Sequence, residues 1–166
     1  MVDRQTNTHI EEWGQTHSRL EELLSFVKHQ GQLDWFNFNA AWHLSTHVLV
    51  SLRGSELVGF LRFVVQSIGP DADCPPVQYQ GADLLEAKVI AFAVSETRRA
   101  QGIGRRLQEA LIERARTLNC HQIRSHSGGQ NAANHQLKLS MGYGVHPIIR
   151  GDDHQGVYFV LPLLRS

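Results

Sequence analysis

The feature that most constrains this chain is a short glycine turn at residues 99–104, between an apolar run and an amphipathic run. In order, its residues are Arg99, Ala100, Gln101, Gly102, Ile103 and Gly104. The apolar run before the turn predicts a buried strand, and the run after it has the apolar spacing of a helix. A strand that leads through such a turn into a helix leaves unpaired backbone N–H groups at the helix start, where anions bind readily.

Two further properties of this turn favour a phosphate or pyrophosphate ligand. Gly102 and Gly104 have no Cβ, so an anion can approach the backbone closely. Fixed positive charge surrounds the turn on Arg98, Arg99, Arg105 and Arg106. The helix dipole adds partial positive charge at the same place. The sequence therefore predicts a site for a phosphate compound.

The composition limits the other partners of the chain. Its 166 residues suit one domain, expected over residues 1–166, and its 16 basic and 16 acidic residues argue against a general nucleic-acid binder. No apolar run has the length of a membrane span, and the N-terminus has no secretory segment. Cys74 and Cys120 are expected to be free thiols, which favours a cytoplasmic location. The scattered histidines give no metal-type spacing, so no metal is expected.

The first residues predict a helix. Thr8 and Glu11 match a capping box, in which the two side chains satisfy backbone N–H groups at a helix start. The apolar spacing that follows predicts a helix of roughly five turns, and Gly31 is its expected end.

An aromatic segment and a hairpin follow that helix. Residues 34–42 hold four large aromatics, which leaves two interpretations: packing under a loop or short helix, or one wall of a substrate pocket. Residues 47–67 predict two strands joined by a turn at residues 53–56. Residues 68–83, rich in Gly, Pro and Asp, predict a long connection.

The second half alternates strands and helices. Residues 84–94 predict a central strand that is apolar on both faces at its far end. One face of this strand is expected to carry Leu85, Ala87, Val89, Ala91 and Ala93. After the helix that follows the glycine turn, strands are predicted at residues 121–127, 145–149 and 157–164, turns at 128–130 and 151–156, and a helix at 131–141 ending at Gly142. This order predicts an α+β fold with α/β three-layer character, in which helices cover both faces of one mixed sheet.

The turn and its surroundings resemble the GNAT superfamily of acyl-CoA-dependent N-acetyltransferases. The phosphate turn of that family reads Gln/Arg-x-x-Gly-x-Gly/Ala between a strand and a helix, and residues 99–104 match every defined position. Asn131, Gly142 and Tyr143 have the spacing of the family's downstream Asn and Gly-aromatic pair. The resemblance covers roughly residues 47–164 and includes the first helix.

The resemblance implies an enzyme that moves an acetyl group from acetyl-CoA directly to an amine of a small molecule or peptide. It implies a sheet whose central strands splay apart, so that the pantetheine arm of the cofactor can enter. It also implies a set of cofactor-binding residues: Phe92, Ala93, Val94, Arg99, Ala100, Gln101, Gly102, Ile103, Gly104, Arg105 and Asn131.

The chain departs from the family at both catalytic positions. Lys88 replaces a common glutamate base, and Lys138 replaces a common tyrosine acid. The candidates for proton transfer are therefore Glu86, which could instead pair with Lys88, and His126, which could instead be a hydrogen-bonded strand residue. Lys138 could stabilise a thiolate or contact cofactor phosphate, or it could be a solvated helix residue.

These departures motivate a second hypothesis, a non-catalytic acyl-CoA-binding or sensor module of the same fold. The two hypotheses share the donor site and differ in turnover. The acceptor amine, the acyl chain length and the oligomeric state stay open, and the expected assemblies include a homodimer.

Overall fold

The computed structural model describes residues 7–128, 132–147 and 156–163. Within them the strands are β1 His9–Glu12, β2 His43–Arg53, β3 Glu56–Ser67, β4 Gln78–Tyr79, β5 Ala82–Asp83, β6 Leu85–Val94, β7 Gln122–Gly128, β8 Gly144–Pro147 and β9 Gly156–Pro162. The α-helices are α1 Leu20–His29, α2 Leu33–Phe36, α3 Ile103–Thr117 and α4 Ala132–Ser140.

Seven of these strands form one mixed sheet in the order β1-β2-β3-β6-β7-β9-β8. Neighbouring strands are antiparallel except for the central pair, β6 and β7, which is parallel. The connection between the two parallel strands contains the glycine turn and α3. The predicted mixed sheet is confirmed, and its one parallel pair lies where the predicted site begins.

Helices cover both faces of this sheet, as predicted. On one face α3 buries Ile103, Leu107 and Leu111 against side chains of the central strands. On the other face α1 buries Leu23 and Val27 in a second core cluster. Each fully buried aliphatic side chain contributes about 1.5–3 kcal/mol to this packing.

The prediction of a capping box at the N-terminus is wrong. Thr8 leads into β1, whose residues pair with β2 at the edge of the sheet, and the N–H of Trp13 donates to the carbonyl of Val48 at 2.9 Å. The helix begins only at Leu20, so it has ten residues rather than about five turns. Gly31, with φ of +72°, follows its end as predicted. A free strand edge offered these residues backbone partners, which outweighed the local helix signal.

The predicted hairpin is confirmed as β2 and β3, which extend further than expected. The long connection after β3 is not irregular throughout. It contains a single 3₁₀ turn at Pro70–Ala72 and the two-stranded ribbon of β4 and β5.

The prediction that β6 keeps one face from Leu85 to Ala93 is wrong beyond Val89. Ala91 pairs with Arg62 and Val89 pairs with the next residue of β3, so Ile90 is an extra, bulged residue. A bulge of this kind shifts the alternation of side chains by one position. Val89 belongs to the core under α3, whereas Ala91 belongs to the cluster under α1.

The remaining predicted elements are confirmed in the described part of the chain. β7, α4, β8 and β9 lie where they were predicted, and Gly142 follows α4 with φ of +90°. Most of the two predicted turns, at residues 129–130 and 151–155, lies outside the described residues. Of the helices described, none is long and apolar enough to cross a bilayer.

Candidate active site

The glycine turn ends in an uncapped helix start. Gly102 is the N-cap of α3 with φ of +82°, no side chain caps it, and the first turn of the helix has no acidic residue. Ala100, with φ of +63°, also has a left-handed backbone conformation. The first N–H groups of α3 therefore keep their capacity to bind an external anion.

Two of the four arginines near this turn are free of described acidic partners. Arg98 pairs with Glu56 at 3.2 Å, and Arg106 pairs with a glutamate in its own helix at 2.9 Å. Arg99 instead donates to the carbonyl of Val94, and Arg105 donates to the hydroxyl of a serine on α4. Within the described residues the charges of these two side chains are not neutralised, which suits a site for a dianion.

Gly104 has a structural reason to be glycine. A Cβ at this position would lie 3.2 Å from Cζ of Phe92 and 3.6 Å from Cδ2 of Leu137. Glycine therefore lets the start of α3 approach both β6 and α4. This packing brings the anion-binding turn next to the opening in the sheet.

The central strands separate beyond their first four pairs. Pairing between β6 and β7 ends at Val89 and Ser125, whereas β6 continues to Val94. In the described residues the final stretch of β6 therefore has neighbours on one side only. Alternate residues of that stretch turn backbone N–H and C=O groups toward the opening, where a ligand can accept and donate hydrogen bonds.

A cleft of about 440 Å³ occupies this opening. It is lined by residues 88–92 of β6, residues 125–127 of β7, Gln32, Trp35, Phe38, Asn134 and Tyr158. Because α2 lies on one face of the sheet and α4 on the other, the cleft passes between the strands. It joins the side of the sheet that carries α3 and α4 to the side that carries the aromatic segment.

The aromatic segment supports both of its interpretations. Phe36 is buried in the core and contacts Phe60 edge-on. Trp35 and Phe38 remain 58% and 41% exposed, lie edge-on to each other at 6.1 Å, and line the cleft. We call these two side chains the aromatic wall.

His126 lies in the lining of the cleft, opposite Tyr158 on the neighbouring strand. The centroids of their two rings are 5.6 Å apart. Of the two residues predicted to transfer protons, His126 is the one that the fold brings to the cleft.

Glu86 is 1% exposed and does not line the cleft. Its carboxylate accepts hydrogen bonds from the amides of Gln66 at 2.8 Å and Gln122 at 3.0 Å, and from the guanidinium of Arg124 at 2.9 Å. The alternative prediction, that Glu86 pairs with Lys88, is wrong, because Lys88 pairs with Asp71 instead. With both oxygens engaged, Glu86 is placed to hold Arg124 rather than to meet a substrate.

Asp71, which the sequence gave no reason to select, joins the charged groups beside the cleft. It lies in the connection after β3, pairs with Lys88 at 2.7 Å, and also pairs with Arg124. Burial alone would raise the pKa of Asp71, but the two cations outweigh it and hold that pKa below its ordinary value. Arg124 also lies 5.1 Å from the ring centroid of Tyr158. This network contains two carboxylates and two cationic side chains, so its formal net charge is zero.

Lys138 is fully buried, and the prediction of a solvated helix residue is wrong. Its Nζ has no hydrogen-bond acceptor among the described residues and lies 4.9 Å from the ring centroid of Tyr143. Burial lowers the pKa of this amine to about 7. Lys138 follows Asn134, a residue of the cleft lining, by one helical turn.

The other predicted cofactor residues are distributed along this route. Phe92 lines the cleft, and Ala93 and Val94 complete the unpaired end of β6. Gln101 and Ile103 belong to the turn and the start of α3, respectively. Asn131 lies outside the described residues. Those residues contain no group of three or more His, Cys, Asp or Glu side chains placed to hold a metal ion.

The sequence matches the model of the acetyltransferase (GNAT) family over residues 7–143. No curated protein sequence shows a significant match to the chain.

Solved structures of acyltransferases share the fold. Arabidopsis thaliana NAA60 in complex with acetyl-CoA has a TM-score of 0.72 at 15% identity, covering 94% of this chain and 98% of its own. A putative acyl-CoA N-acyltransferase from Klebsiella pneumoniae has a TM-score of 0.67 at 19% identity, with coverages of 96% and 99%. The putative acetyltransferase yncA of Salmonella typhimurium, with its cofactor acetyl-CoA, has a TM-score of 0.64 at 18% identity, with coverages of 96% and 95%.

Proposed function

The chain belongs to the acetyltransferase (GNAT) family, and we propose that it transfers an acetyl group from acetyl-CoA directly to an amine of a small molecule or peptide. The observation that carries this proposal is the cleft between β6 and β7, which starts beside the uncapped turn before α3. An anion-binding helix start next to a gap in a sheet suits a long ligand with a phosphate end and a reactive end.

The residues at the turn fit the phosphate end of that ligand. The first N–H groups of α3 would donate to the pyrophosphate, and Arg99 and Arg105 would supply positive charge. The open backbone edge of Phe92, Ala93 and Val94 would hold the pantetheine arm. Acetyl-CoA supplies an acetyl thioester, and the residues that line the cleft would hold this thioester close to the amine.

His126 is the residue that we assign to proton removal. A neutral amine is needed for attack, and an imidazole in the cleft lining can take its proton directly or through one water. Glu86 would act indirectly, because it holds Arg124 beside Tyr158, the residue opposite His126. We assign Glu86 a positioning role.

Release of free thiol from acetyl-CoA tests this proposal. The protein is incubated with acetyl-CoA and each of several amines: 2-phenylethylamine, n-octylamine, spermidine and a tetrapeptide with a free N-terminus. At least one amine should accelerate thiol release, with the acetylated amine as product. His126→Gln should lower kcat by about 100-fold, as expected for loss of a general base, with little change in the KM for acetyl-CoA.

The non-catalytic module is the outcome that would replace this proposal. Its signature is tight binding of CoA in calorimetry together with thiol release that no amine accelerates. Unchanged kcat and an unchanged pH profile in His126→Gln, with an active wild type, would remove His126 from the proposal and leave the transfer reaction in place.

A further inference from the structure

Arg62 is a buried cation that has no acidic partner among the described residues. It lies in β3, is 4% exposed, and burial lowers the pKa of its guanidinium. Its nitrogens donate to the carbonyls of Phe38 at 2.6 Å, Phe36 at 2.7 Å and Trp35 at 3.4 Å, to Oδ1 of Asn39 at 2.9 Å, and to Oγ1 of Thr46 at 3.0 Å. Burial of a guanidinium is costly unless its donors are satisfied, and here uncharged oxygens satisfy them.

Four of these five acceptors belong to the segment that carries the aromatic wall. Helix α2 has four residues, too few to be stable without outside contacts, and its last carbonyls have no partner within the helix. From the sheet below, Arg62 donates to the carbonyls of Trp35 and Phe36, and the N–H of Phe38 also donates to the carbonyl of Trp35 at 3.1 Å. The positions of Trp35 and Phe38 therefore depend on the guanidinium of Arg62.

The same residue also adjoins the floor of the cleft. Arg62 pairs with Ala91 of β6, next to the bulged Ile90, and both of these residues line the cleft. The backbone of Arg62 thus fixes the floor while its guanidinium fixes the wall. A change in the guanidinium should move the wall relative to the floor and leave the turn before α3 in place.

The aromatic wall itself indicates what it contacts. Trp35 and Phe38 are adjacent, remain partly exposed and line the cleft together. A contiguous exposed apolar patch in a groove is typical of a ligand-binding surface, and aromatic faces pack well against other flat apolar groups. Lys88, which also lines the cleft, is paired with Asp71 at 2.7 Å. This side of the cleft therefore favours apolar contact over a charged group.

We infer that Arg62 is a positioning residue for acceptor specificity: it holds Trp35 and Phe38 as a wall that selects amines carrying an aromatic or similarly flat apolar group. The inference rests on the proposed function for the identity of the acceptor as an amine. It adds the chemical class of that amine and the residue that sets the selection.

Equilibrium binding tests the inference without need of turnover. Calorimetry on CoA-saturated protein compares 2-phenylethylamine with n-octylamine, which has the same number of carbons and the same charge but no ring. The wild type should bind 2-phenylethylamine at least about fivefold more tightly. Arg62→Lys should lose most of that preference, because an ammonium cannot reach all the oxygens that the planar guanidinium reaches.

A thermodynamic cycle separates positioning from general destabilisation. If Arg62 acts through the wall, Trp35→Ala should abolish the preference, and Arg62→Lys added to Trp35→Ala should change it no further. Arg114→Lys, at a partly exposed arginine of α3, is the matched control and should leave both affinities unchanged. In every variant the affinity for CoA should stay within about twofold of the wild type.

Three results would overturn the inference: equal affinity of the wild type for both amines, independent effects of Arg62→Lys and Trp35→Ala, or a parallel loss of CoA affinity in Arg62→Lys. If Arg62→Lys does not fold, Asn39→Ala removes one acceptor from the same guanidinium and should reduce the preference in part. A ring preference that depends on Arg62 in a protein that acetylates no amine would sustain this inference and refute the proposed function.

Discussion

The glycine turn and the aromatic side of the cleft are constructed on opposite principles. At the turn, backbone N–H groups of one continuous segment make the anion site. Gly102 adopts the left-handed conformation at the start of α3, and Gly104 lets α3 approach Phe92 and Leu137. On the aromatic side, side chains from separate elements meet, such as Trp35 of α2, Lys88 of β6 and Tyr158 of β9. An added side chain should therefore disturb the glycine turn most. Removal of one interacting side chain should disturb the aromatic side of the cleft most.

The largest expected effect comes from added bulk and charge at the turn. Gly104→Glu would force its Cβ to within 3.2 Å of Phe92 and place a carboxylate beside the bound phosphates. We expect CoA to bind about a thousandfold more weakly, about 4 kcal/mol, by calorimetry. Gly102→Glu should have the same result, because it also demands a left-handed backbone from a residue with a side chain.

Gly14→Glu is the matched control for these two variants. Gly14 is exposed, and a Cβ there meets no atom within 4 Å, so CoA affinity should not change. CoA binding of normal strength in both Gly102→Glu and Gly104→Glu would mean that the anion site lies elsewhere.

The contrast between the glycine turn and the aromatic side explains which parts of the site could be predicted from the sequence. The turn is specified by residues that are adjacent in the chain, so its strand, its glycines and α3 could all be predicted. The aromatic side depends on contacts between residues distant in sequence, such as the pairing of Asp71 with Lys88 and Arg124. An acid in a loop rich in Gly and Pro carries no local sign of such a partner.

Removal of one partner from the charged network is the second test. Arg124→Met would leave Glu86 buried with only the amides of Gln66 and Gln122 as donors. Loss of one member of a buried ion pair costs about 3–5 kcal/mol, and we expect about 3 kcal/mol here because Arg124 is partly exposed. Denaturant unfolding would measure this loss of free energy of unfolding.

Arg114→Met is the corresponding change at the surface. Arg114 pairs with Glu12 at 3.1 Å, where both side chains are solvent-accessible, so its removal should cost less than about 1 kcal/mol. Equal losses from Arg124→Met and Arg114→Met would contradict the view that burial makes this network structurally important.

The third test uses the buried amine of Lys138, whose pKa in the folded protein is about 7 compared with an ordinary value of 10.5. Between these values the unfolded chain binds a proton that the folded protein does not, so this group makes stability rise with pH. Lys138→Met removes the cost of burial. The free energy of unfolding should rise by several kcal/mol at pH 6, and nearly all of this gain should be lost by pH 10.

Lys28→Met on the exposed face of α1 serves as the control and should change stability little at any pH. A gain in Lys138→Met that is the same at pH 6 and pH 10 would show that the effect comes from packing and not from protonation of the buried amine.

Predictions from the helix and strand periodicity of the sequence are wrong at Lys138 and beyond Ile90, in each case for a physical reason. A lysine in a helix is usually solvated, and only the packing of α4 against Tyr143 and the neighbouring core buries this one. The bulge at Ile90 depends on the register with β3, which alternation within β6 does not contain. Arg62 belongs to the same class, because its acceptors come from a segment more than twenty positions earlier in the chain.

The smallest expected effect concerns the backbone of the turn alone. Ala100 has φ of +63°, a conformation that costs a residue with a Cβ about 1–2 kcal/mol and costs glycine nothing. Ala100→Gly also gives the unfolded chain more freedom, which offsets about 0.5–1 kcal/mol of the gain. Thermal unfolding should therefore show a net stabilisation below about 1 kcal/mol, with unchanged affinity for CoA.

Asn119→Gly is the matched control for this last variant, since Asn119 follows α3 with φ of +60°. Asparagine tolerates the left-handed region better than alanine does, so its replacement should gain less than Ala100→Gly. If Ala100→Gly instead weakened CoA binding by tenfold or more, about 1.4 kcal/mol, the methyl group of Ala100 would contact the ligand. The turn would then recognise its ligand through a side chain as well as the backbone. Side-chain contacts would in that case contribute to both regions, and the turn would only use fewer of them than the aromatic side does.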